Sequence, residues 1–280
     1  MSRSIPPFDE DLLSHKNNLL QKQKIVEGSG TDKQKRLLEQ VWVAYEAYVA
    51  EINYDAHSDD DYTSSVNALN KYVDFAKAVE KEDSKFFSWR SDFAGSIIPE
   101  FIFRAADVQL KKSGLKPLYS KSKAVLEITP DPRGVGFLII RKNQDFCVGF
   151  SEVTINEGET DVNLLVPCVA AEIKTNIDKN KINGLEYTAK RLKRTFPAAK
   201  YILISETLDF SINDNRASGP IDEVYILRKQ IRSQARVEGG KKPLQPDVFS
   251  SVISYIVDVA EKMHIQLGHV YDRLETGRLL

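Results

Sequence analysis

Two acids and a lysine stand at the ends of two apolar segments that a short turn joins. Residues 170–176 read AAEIKTN, so one residue separates Glu172 from Lys174 at the end of an apolar run. Asp145 begins the preceding apolar segment, DFCVGFSEVTI. Neighbouring carboxylates can bind a divalent cation, and a lysine beside them can stabilise charge on a phosphate. The alternative interpretation is a salt bridge at the tip of a strand.

The turn between the two segments predicts which of these residues face each other. The sequence EGET at 157–160 centres a hairpin between residues 158 and 159, so Glu172 pairs with Asp145. Two carboxylates side by side repel each other unless a cation holds them, and Mg²⁺ suits a few carboxylates plus waters. A bulge would shift the pairing. Glu152 and Asp161 are then the alternative ligands, and Asp131 is a third.

The spacing of an acid and a lysine is a weak signal when it stands alone. A second triplet, Asp83-Ser84-Lys85, lies in the polar run KEDSK. No strand precedes that copy, so we interpret it as a solvated cluster of charges.

The elements that position the site change from helices to strands along the chain. Helical spacing of apolar residues predicts a helix-rich region over 1–84, and 85–280 forms the core that follows it. Strands are predicted at AVLEIT, GVGFLIIRK, DFCVGFSEVTI, VNLLVPCVAAEIK, KYILISET and DEVYILRKQ. An amphipathic helix over 182–196 makes the strands on its two sides parallel, and a last helix begins at Asp247. Because the segment 164–174 is apolar on both faces, an α/β sandwich is predicted.

Composition excludes several classes of protein. The 280 residues are 42% hydrophobic and 28% charged with a net charge of −1, as in ordinary globular proteins. No segment suits a secretory leader or a membrane span, so a cytoplasmic protein is predicted. Cys147 and Cys168 lie in strand-like segments and are predicted to be reduced core thiols. The four scattered histidines, and the absence of a phosphate-binding glycine motif, give no support to zinc, a Ser-His-Asp triad or a nucleotide cofactor.

Basic residues are concentrated in two segments, one on the predicted helix over 182–196 and one over 228–242. The segment over 228–242 extends from a strand into a glycine-containing loop, and its basic residues are Arg228, Lys229, Arg232, Arg236, Lys241 and Lys242. We expect that segment to contact the backbone or bases of DNA. Lys190 and Arg191 lie on the basic face of the predicted helix, which is either a solvated face or a second phosphate contact.

The arrangement of these motifs resembles the PD-(D/E)xK nuclease superfamily. Asp145 is followed by the hairpin, by Glu172-x-Lys174, and then by an amphipathic helix and a strand; Gln144 replaces the proline of the motif name. The segments SIIPEF, NQDFCVGF, EGET, NLLVPCVAAEIK, TAKRLKRTFP and IDEVYILRKQ resemble, in the same order, the subunits of type II restriction endonucleases of the BbvCI kind. This resemblance covers about residues 90 to 230.

The resemblance implies a fold, a cofactor and a role for each site residue. The fold would be a mixed β-sheet between helices, and the cofactor would be Mg²⁺. Asp145, Glu172 and the backbone carbonyl of Ile173 would bind the metal, and Lys174 would be the catalytic lysine. Glu100 would be an additional acid at the metal, although a position in the first turn of a helix also explains an acid there.

The resemblance also implies a substrate and a partner. The substrate would be double-stranded DNA with a short, nearly palindromic site of the CCTNAGC kind. One such site attacks one strand, so double-strand cleavage requires a homodimer or a heterodimer with a related subunit. Two other functions stay open from the sequence: a DNA-binding or scaffolding subunit with a degenerate site, and a repair or junction-resolving nuclease of the same superfamily.

Overall fold

The computed structural model describes residues 5–56, 58–88, 93–120, 124–130, 136–157, 160–209, 219–237, 239–263, 275 and 277. The helices are α1 (Ser14–Ser29), α2 (Asp32–Glu51), α3 (Asp59–Glu82), α4 (Ser84–Phe87), α5 (Ile97–Lys112), α6 (Lys179–Thr195), α7 (Arg232–Ala235) and α8 (Pro246–Met263). The strands are β1 (Leu118–Tyr119), β2 (Ala124–Pro130), β3 (Phe137–Lys142), β4 (Phe146–Glu157), β5 (Thr160–Ile177), β6 (Lys200–Leu208) and β7 (Glu223–Ile226). Each strand predicted from the sequence is present.

The long N-terminal helices begin where their sequences provide caps. The Thr31 hydroxyl accepts a hydrogen bond from the backbone N–H of Gln34, and the Gln34 side-chain oxygen accepts one from the backbone N–H of Thr31, which forms a capping box at α2. Ser58 and Asp61 form the same arrangement at α3. Both helices therefore begin at residues whose side chains satisfy free backbone N–H groups of the first turn.

A mixed sheet of five strands forms the centre of the fold, in the order β1-β4-β5-β6-β7. The pairs β1–β4 and β4–β5 are antiparallel, whereas β5–β6 and β6–β7 are parallel. Helix α6 connects β5 to β6, which confirms the predicted crossover. Strands β2 and β3 form a separate antiparallel hairpin.

The register of β4 and β5 agrees with the predicted hairpin. Phe146 pairs with Ala171 and Glu157 pairs with Thr160, so the sum of paired numbers is the same at both ends. Two shifts between them cancel, one on each side of Gly149. A Cβ atom at Gly149 would lie 2.0 Å from the carbonyl oxygen of Val166, so only glycine fits this close approach of the strands.

Helices cover both faces of the sheet. On one face, Ala189 and Leu192 of α6 pack against Cys147, Ala170 and Tyr201. The other face joins the main core, to which α5, α8 and the N-terminal helices contribute. This core continues across residue 84, where the sequence predicted a boundary between two regions. The predicted α/β sandwich is confirmed.

Both cysteines are free, buried thiols. Burial raises the pKa of Cys147 and that of Cys168 to about 12, so both thiols stay protonated at neutral pH. In the part of the chain that the structure describes, no helix has the length and apolarity that crossing a membrane requires.

A buried histidine joins α1 to the rest of the core. His15 is 1% exposed, and its Nε2 lies 2.6 Å from the hydroxyl of Tyr72. Its Nδ1 lies 3.0 Å from the backbone oxygen of Phe93. A neutral ring with its proton on Nδ1 satisfies both contacts, since Nδ1 then donates and Nε2 accepts. Burial lowers the pKa of His15 from 6.5 to about 4.

We predict that His15 makes the fold less stable as the pH falls below neutral. Because the folded-state pKa lies below that of the unfolded chain, the unfolded state gains a proton first, and stability is lost as pH falls from about 6.5 towards 4. At pH 5 the loss is about 2 kcal/mol. Urea unfolding of the wild type and of His15→Asn at pH 7 and pH 5 measures it. Equal losses in the two proteins would contradict the prediction.

Candidate active site

Asp145, Glu172 and Lys174 form one cluster at the adjoining ends of β4 and β5. The Nζ atom of Lys174 lies 3.0 Å from Oδ2 of Asp145 and 2.7 Å from Oε2 of Glu172. Asp145 Oδ2 also accepts a hydrogen bond of 2.7 Å from the backbone N–H of Ile173. The predicted hairpin thus brings the three side chains together.

The surroundings of the cluster shift the pKa values of two of its side chains. Burial raises the pKa of Asp145 above its usual range, although the Lys174 ammonium and the Ile173 N–H act in the opposite direction. Burial lowers the pKa of Lys174, but the charges of Asp145 and Glu172 outweigh it and raise that pKa overall. Lys174 therefore stays a cation at neutral pH. The Glu172 side chain is 5% exposed, and its contact with the Lys174 ammonium offsets the hydration that the carboxylate loses on burial.

A second lysine, which the sequence reasoning missed, binds the other oxygen of Glu172. Lys142 Nζ lies 2.9 Å from Glu172 Oε1 and 3.2 Å from the hydroxyl oxygen of Thr188 on α6. Lys142 ends β3, which belongs to the separate hairpin, so the pairing of β4 with β5 gives no information about it. In the sequence, only its place at the end of a predicted strand, three positions before Asp145, could have indicated that Lys142 lies at the site.

The donor set suits Mg²⁺. Within the described residues no group of three His, Cys, Asp or Glu side chains could hold a metal ion, so the candidate ligands are two carboxylates and the carbonyl of Ile173. Mg²⁺ commonly takes one or two carboxylates and completes its shell with waters. Oxygens of Asp145 and Glu172 both contact Lys174 Nζ, at 3.0 and 2.7 Å, so the sum of these distances, about 5.7 Å, is their largest possible separation. That limit permits one shared ion.

The alternative ligands lie elsewhere. Glu152 is exposed and pairs with Leu165 inside the hairpin, and Asp161 pairs with Asn156 near its turn. Asp131 lies outside the described residues. Asp83 caps α4 by accepting a hydrogen bond from the backbone of Phe86, as expected for a solvated cluster rather than a strand end. Among the candidate acids that the structure describes, Asp145 is the one that contacts Lys174 together with Glu172.

An open cleft of about 740 Å³ leads to the cluster. Asp145 and Ile173 are among the residues that line it, and α1 contributes Asn17, Asn18 and Gln21 to its wall. A phosphodiester group can approach Asp145 by this route. No motif in the N-terminal sequence indicated that α1 would border the site.

Glu100 does not join the cluster, which corrects its predicted role as a metal ligand. Its Oε2 accepts hydrogen bonds from the backbone N–H groups of His15 and Lys16, at 2.8 and 2.9 Å. Its Oε1 binds Tyr45 at 2.6 Å and Arg104 at 3.0 Å. With each oxygen accepting two hydrogen bonds, no lone pair is left for a metal ion.

Glu100 instead caps another helix. Leu13, which precedes α1, provides no side-chain cap, and the Glu100 carboxylate satisfies the free N–H groups there. Burial would raise the pKa of Glu100, but Arg104, Tyr45 and the backbone donors lower it below its usual value. The carboxylate is thus ionised and fixes α1 beside the cleft.

Arg228 is also corrected, because it lies in the core rather than on a DNA-binding surface. It is 1% exposed, and its Nε and Nη2 both donate to Oε2 of Glu206, at 2.9 and 2.8 Å. It also donates to the backbone oxygen of Lys242 at 2.5 Å. Arg228 therefore fixes the loop before α8 and cannot reach DNA in this conformation.

The other predicted DNA contacts lie near the surface in two segments. Lys190, Arg236 and Lys242 are exposed. Several of the rest form ion pairs: Arg191 with Glu127, Lys229 with Asp247, Arg232 with Asp209 at 2.8 Å and Lys241 with Asp74 at 2.5 Å. The last three of these pairs are exposed and therefore weak, so a phosphate can replace their carboxylates, whereas the Glu127 carboxylate that binds Arg191 is buried.

Fold and cluster together define a class of protein. An α/β core with two acids and a lysine at the ends of an antiparallel pair of strands is that of the restriction-endonuclease-like PD-(D/E)xK nucleases. Residues 128–240 match the family model described as Bpu10I restriction endonuclease. A chain of the structure titled "native BbvCI A2B2 tetramer at low resolution" is 40% identical, with a TM-score of 0.72, and the match covers 93% of this chain and 100% of that one. No curated protein matches.

The chain belongs to the Bpu10I family of restriction endonucleases, with BbvCI among its structural relatives. It is therefore a nuclease subunit of the type II restriction class. This confirms the family that the sequence motifs indicated.

We predict that Arg228 contributes to stability. Arg228→Met leaves the buried Glu206 carboxylate with only Lys77, at 2.5 Å, as its ion-pair partner, so the free energy of unfolding should fall by about 3 kcal/mol. The exposed Lys242→Met should change it by less than about 0.5 kcal/mol. Urea unfolding compares the two. A stable Arg228→Met protein with weakened DNA binding would restore the predicted DNA contact.

Proposed function

We propose that this chain is the subunit of a Mg²⁺-dependent restriction endonuclease that hydrolyses a phosphodiester bond in double-stranded DNA at a short, nearly palindromic site. The observation that carries the proposal is the contact of one ammonium group, that of Lys174, with both Asp145 and Glu172 beside an open cleft. Membership of the Bpu10I family supports the same reaction.

The residues of the cluster have different proposed roles in the reaction. Asp145, Glu172 and the carbonyl of Ile173 would hold Mg²⁺, which when bound supplies a Lewis acid at the phosphate and a water of lowered pKa. Lys174 keeps its proton, so its ammonium group can orient the attacking water and stabilise the charge that develops on the phosphate oxygens. Glu172 and Asp145 position that ammonium before the substrate arrives.

The recognition site and the assembly follow from the resemblance to BbvCI, whose structure is that of an A2B2 tetramer. We propose that this chain likewise acts with a related subunit, each cleaving one strand, at a site of the CCTNAGC kind. A site that is not fully symmetric suits two different subunits, because each meets a different half of the sequence. Exposed Lys190, Arg236 and Lys242 are the proposed phosphate contacts.

The first experiment compares cleavage of supercoiled plasmid with Mg²⁺ and with EDTA. We expect discrete Mg²⁺-dependent products from the wild type and none from Glu172→Ala. Glu152→Ala is the matched control, since it removes an exposed acid from the same hairpin and tests the alternative ligand. Nicked circles would show that this chain cuts one strand and needs a related subunit, and linear DNA would show that two copies suffice.

Other outcomes of this experiment would contradict the proposal. DNA binding without cleavage, also after addition of a related subunit, would indicate a subunit with a degenerate site. Cleavage that follows a DNA structure such as a junction, rather than one fixed sequence, would indicate a repair nuclease.

Lys174→Ala should separate binding from chemistry. We expect DNA affinity to change little, because the charge that this ammonium stabilises develops on the phosphate only in the transition state, while cleavage falls by about 10³-fold or more. Lys85→Ala, in the other acid-x-Lys triplet, is the control and should cleave as the wild type does. Single-turnover cleavage and DNA binding in Ca²⁺ provide the two readouts. Full cleavage by Lys174→Ala would remove this lysine from the mechanism.

A further inference from the structure

Glu172 lies between two ammonium groups, and only one of them belongs to the acid-x-Lys motif. Lys142 Nζ is 2.9 Å from Oε1, and Lys174 Nζ is 2.7 Å from Oε2. We propose that Lys142 is a second active-site lysine, which moves from Glu172 to a phosphate oxygen of the cleaved strand when DNA and the cation bind. This inference rests on the proposed nuclease function and adds a substrate-binding residue to it.

The position of Lys142 is built by three elements. It ends β3, and the hairpin it belongs to is fixed to α6, since the backbone N–H of Ile128 donates to the hydroxyl of Thr195 at 3.2 Å. The ammonium also donates to the hydroxyl oxygen of Thr188 at 3.2 Å. That hydroxyl donates its own proton to the carbonyl of Gly184 at 3.1 Å, so its oxygen is oriented to accept. These contacts hold the Lys142 ammonium group beside Glu172.

Exposure distinguishes Lys142 from a purely structural counter-ion. The Lys142 side chain is 36% exposed, whereas that of Glu172 is 5% exposed. A lysine that only neutralised a buried carboxylate would gain nothing from this exposure, because water weakens the attraction. Lys142 can instead swing towards an incoming phosphate with its flexible four-carbon stem, while Thr188 stays nearby.

The charges of the site also require a second cation. Without DNA, the carboxylates of Asp145 and Glu172 are balanced by the ammonium groups of Lys142 and Lys174. When Glu172 and Asp145 bind a divalent cation, that ion balances both carboxylates, and the two ammonium groups lose their partners. A phosphodiester carries one negative charge and gains a second as the attacking oxygen bonds to phosphorus. The two ammonium groups match that dianion.

The test uses Lys142→Met, which keeps the length of the side chain and removes its charge. Arg141→Met is the matched control, since it removes a neighbouring exposed cation of β3. The three readouts are single-turnover cleavage in Mg²⁺, DNA affinity in Ca²⁺, and binding of Mn²⁺ to the DNA-free protein by calorimetry. Lys142→Arg, which keeps a cation, should recover part of the DNA affinity.

We expect Lys142→Met to cleave about 10²-fold more slowly and to bind DNA about 10-fold more weakly than Arg141→Met. It should bind Mn²⁺ more tightly, because one ammonium fewer, that of Lys174 alone, then competes for Glu172. The inference is overturned if the wild type cleaves and the two Met variants behave alike. It is also overturned if Lys142→Met lowers only the melting temperature, which is the result expected of a structural counter-ion. Loss of cleavage in all proteins, the wild type included, would instead overturn the nuclease function and this role with it.

Discussion

The buried carboxylate of Glu172 is the constraint on which the site depends. Its side chain is 5% exposed, and an isolated carboxylate there would lose several kcal/mol of hydration free energy. Lys174 from the same strand and Lys142 from the separate hairpin offset that loss. The hairpin β2–β3 must therefore meet the central sheet at this point, and Thr188 of α6 helps to hold it there. A charge pair thus joins the two sheets.

A second buried charge has the corresponding role on the other side of the cleft. Glu100 of α5 accepts from the first N–H groups of α1 and from Arg104 and Tyr45, so it holds three helices together. Because α1 borders the cleft, this network holds in place one of the elements that line the approach to Asp145. The N-terminal helices are consequently part of the site's architecture, which explains why their core is continuous with that of the sheet.

Local patterns predicted the fold and the central cluster but not every partner. The register that places Asp145 opposite Glu172 depends on the turn at 157–160. Because the two shifts around Gly149 cancel, counting residues from the centre of that turn was sufficient to find the partner of Glu172. Glu100 and Arg228 were misassigned for the opposite reason. Their partners, Tyr45 and Glu206, are 55 and 22 residues away, and an acid in a first helical turn looks the same whether it faces a metal or a helix. Only the tertiary contacts distinguish these cases.

The ion pairs of Glu172 have a consequence for control of the reaction. A cation that binds this carboxylate must replace ammonium groups that already neutralise it, so its affinity for the free protein is reduced. DNA provides phosphates that can accept those ammonium groups. Binding of DNA and binding of the cation then favour each other by the same factor, because thermodynamic coupling is reciprocal. Under the proposed mechanism, such a site would assemble its full catalytic charge mainly when DNA occupies the cleft, so the lysines that neutralise Glu172 would also couple cleavage to DNA binding.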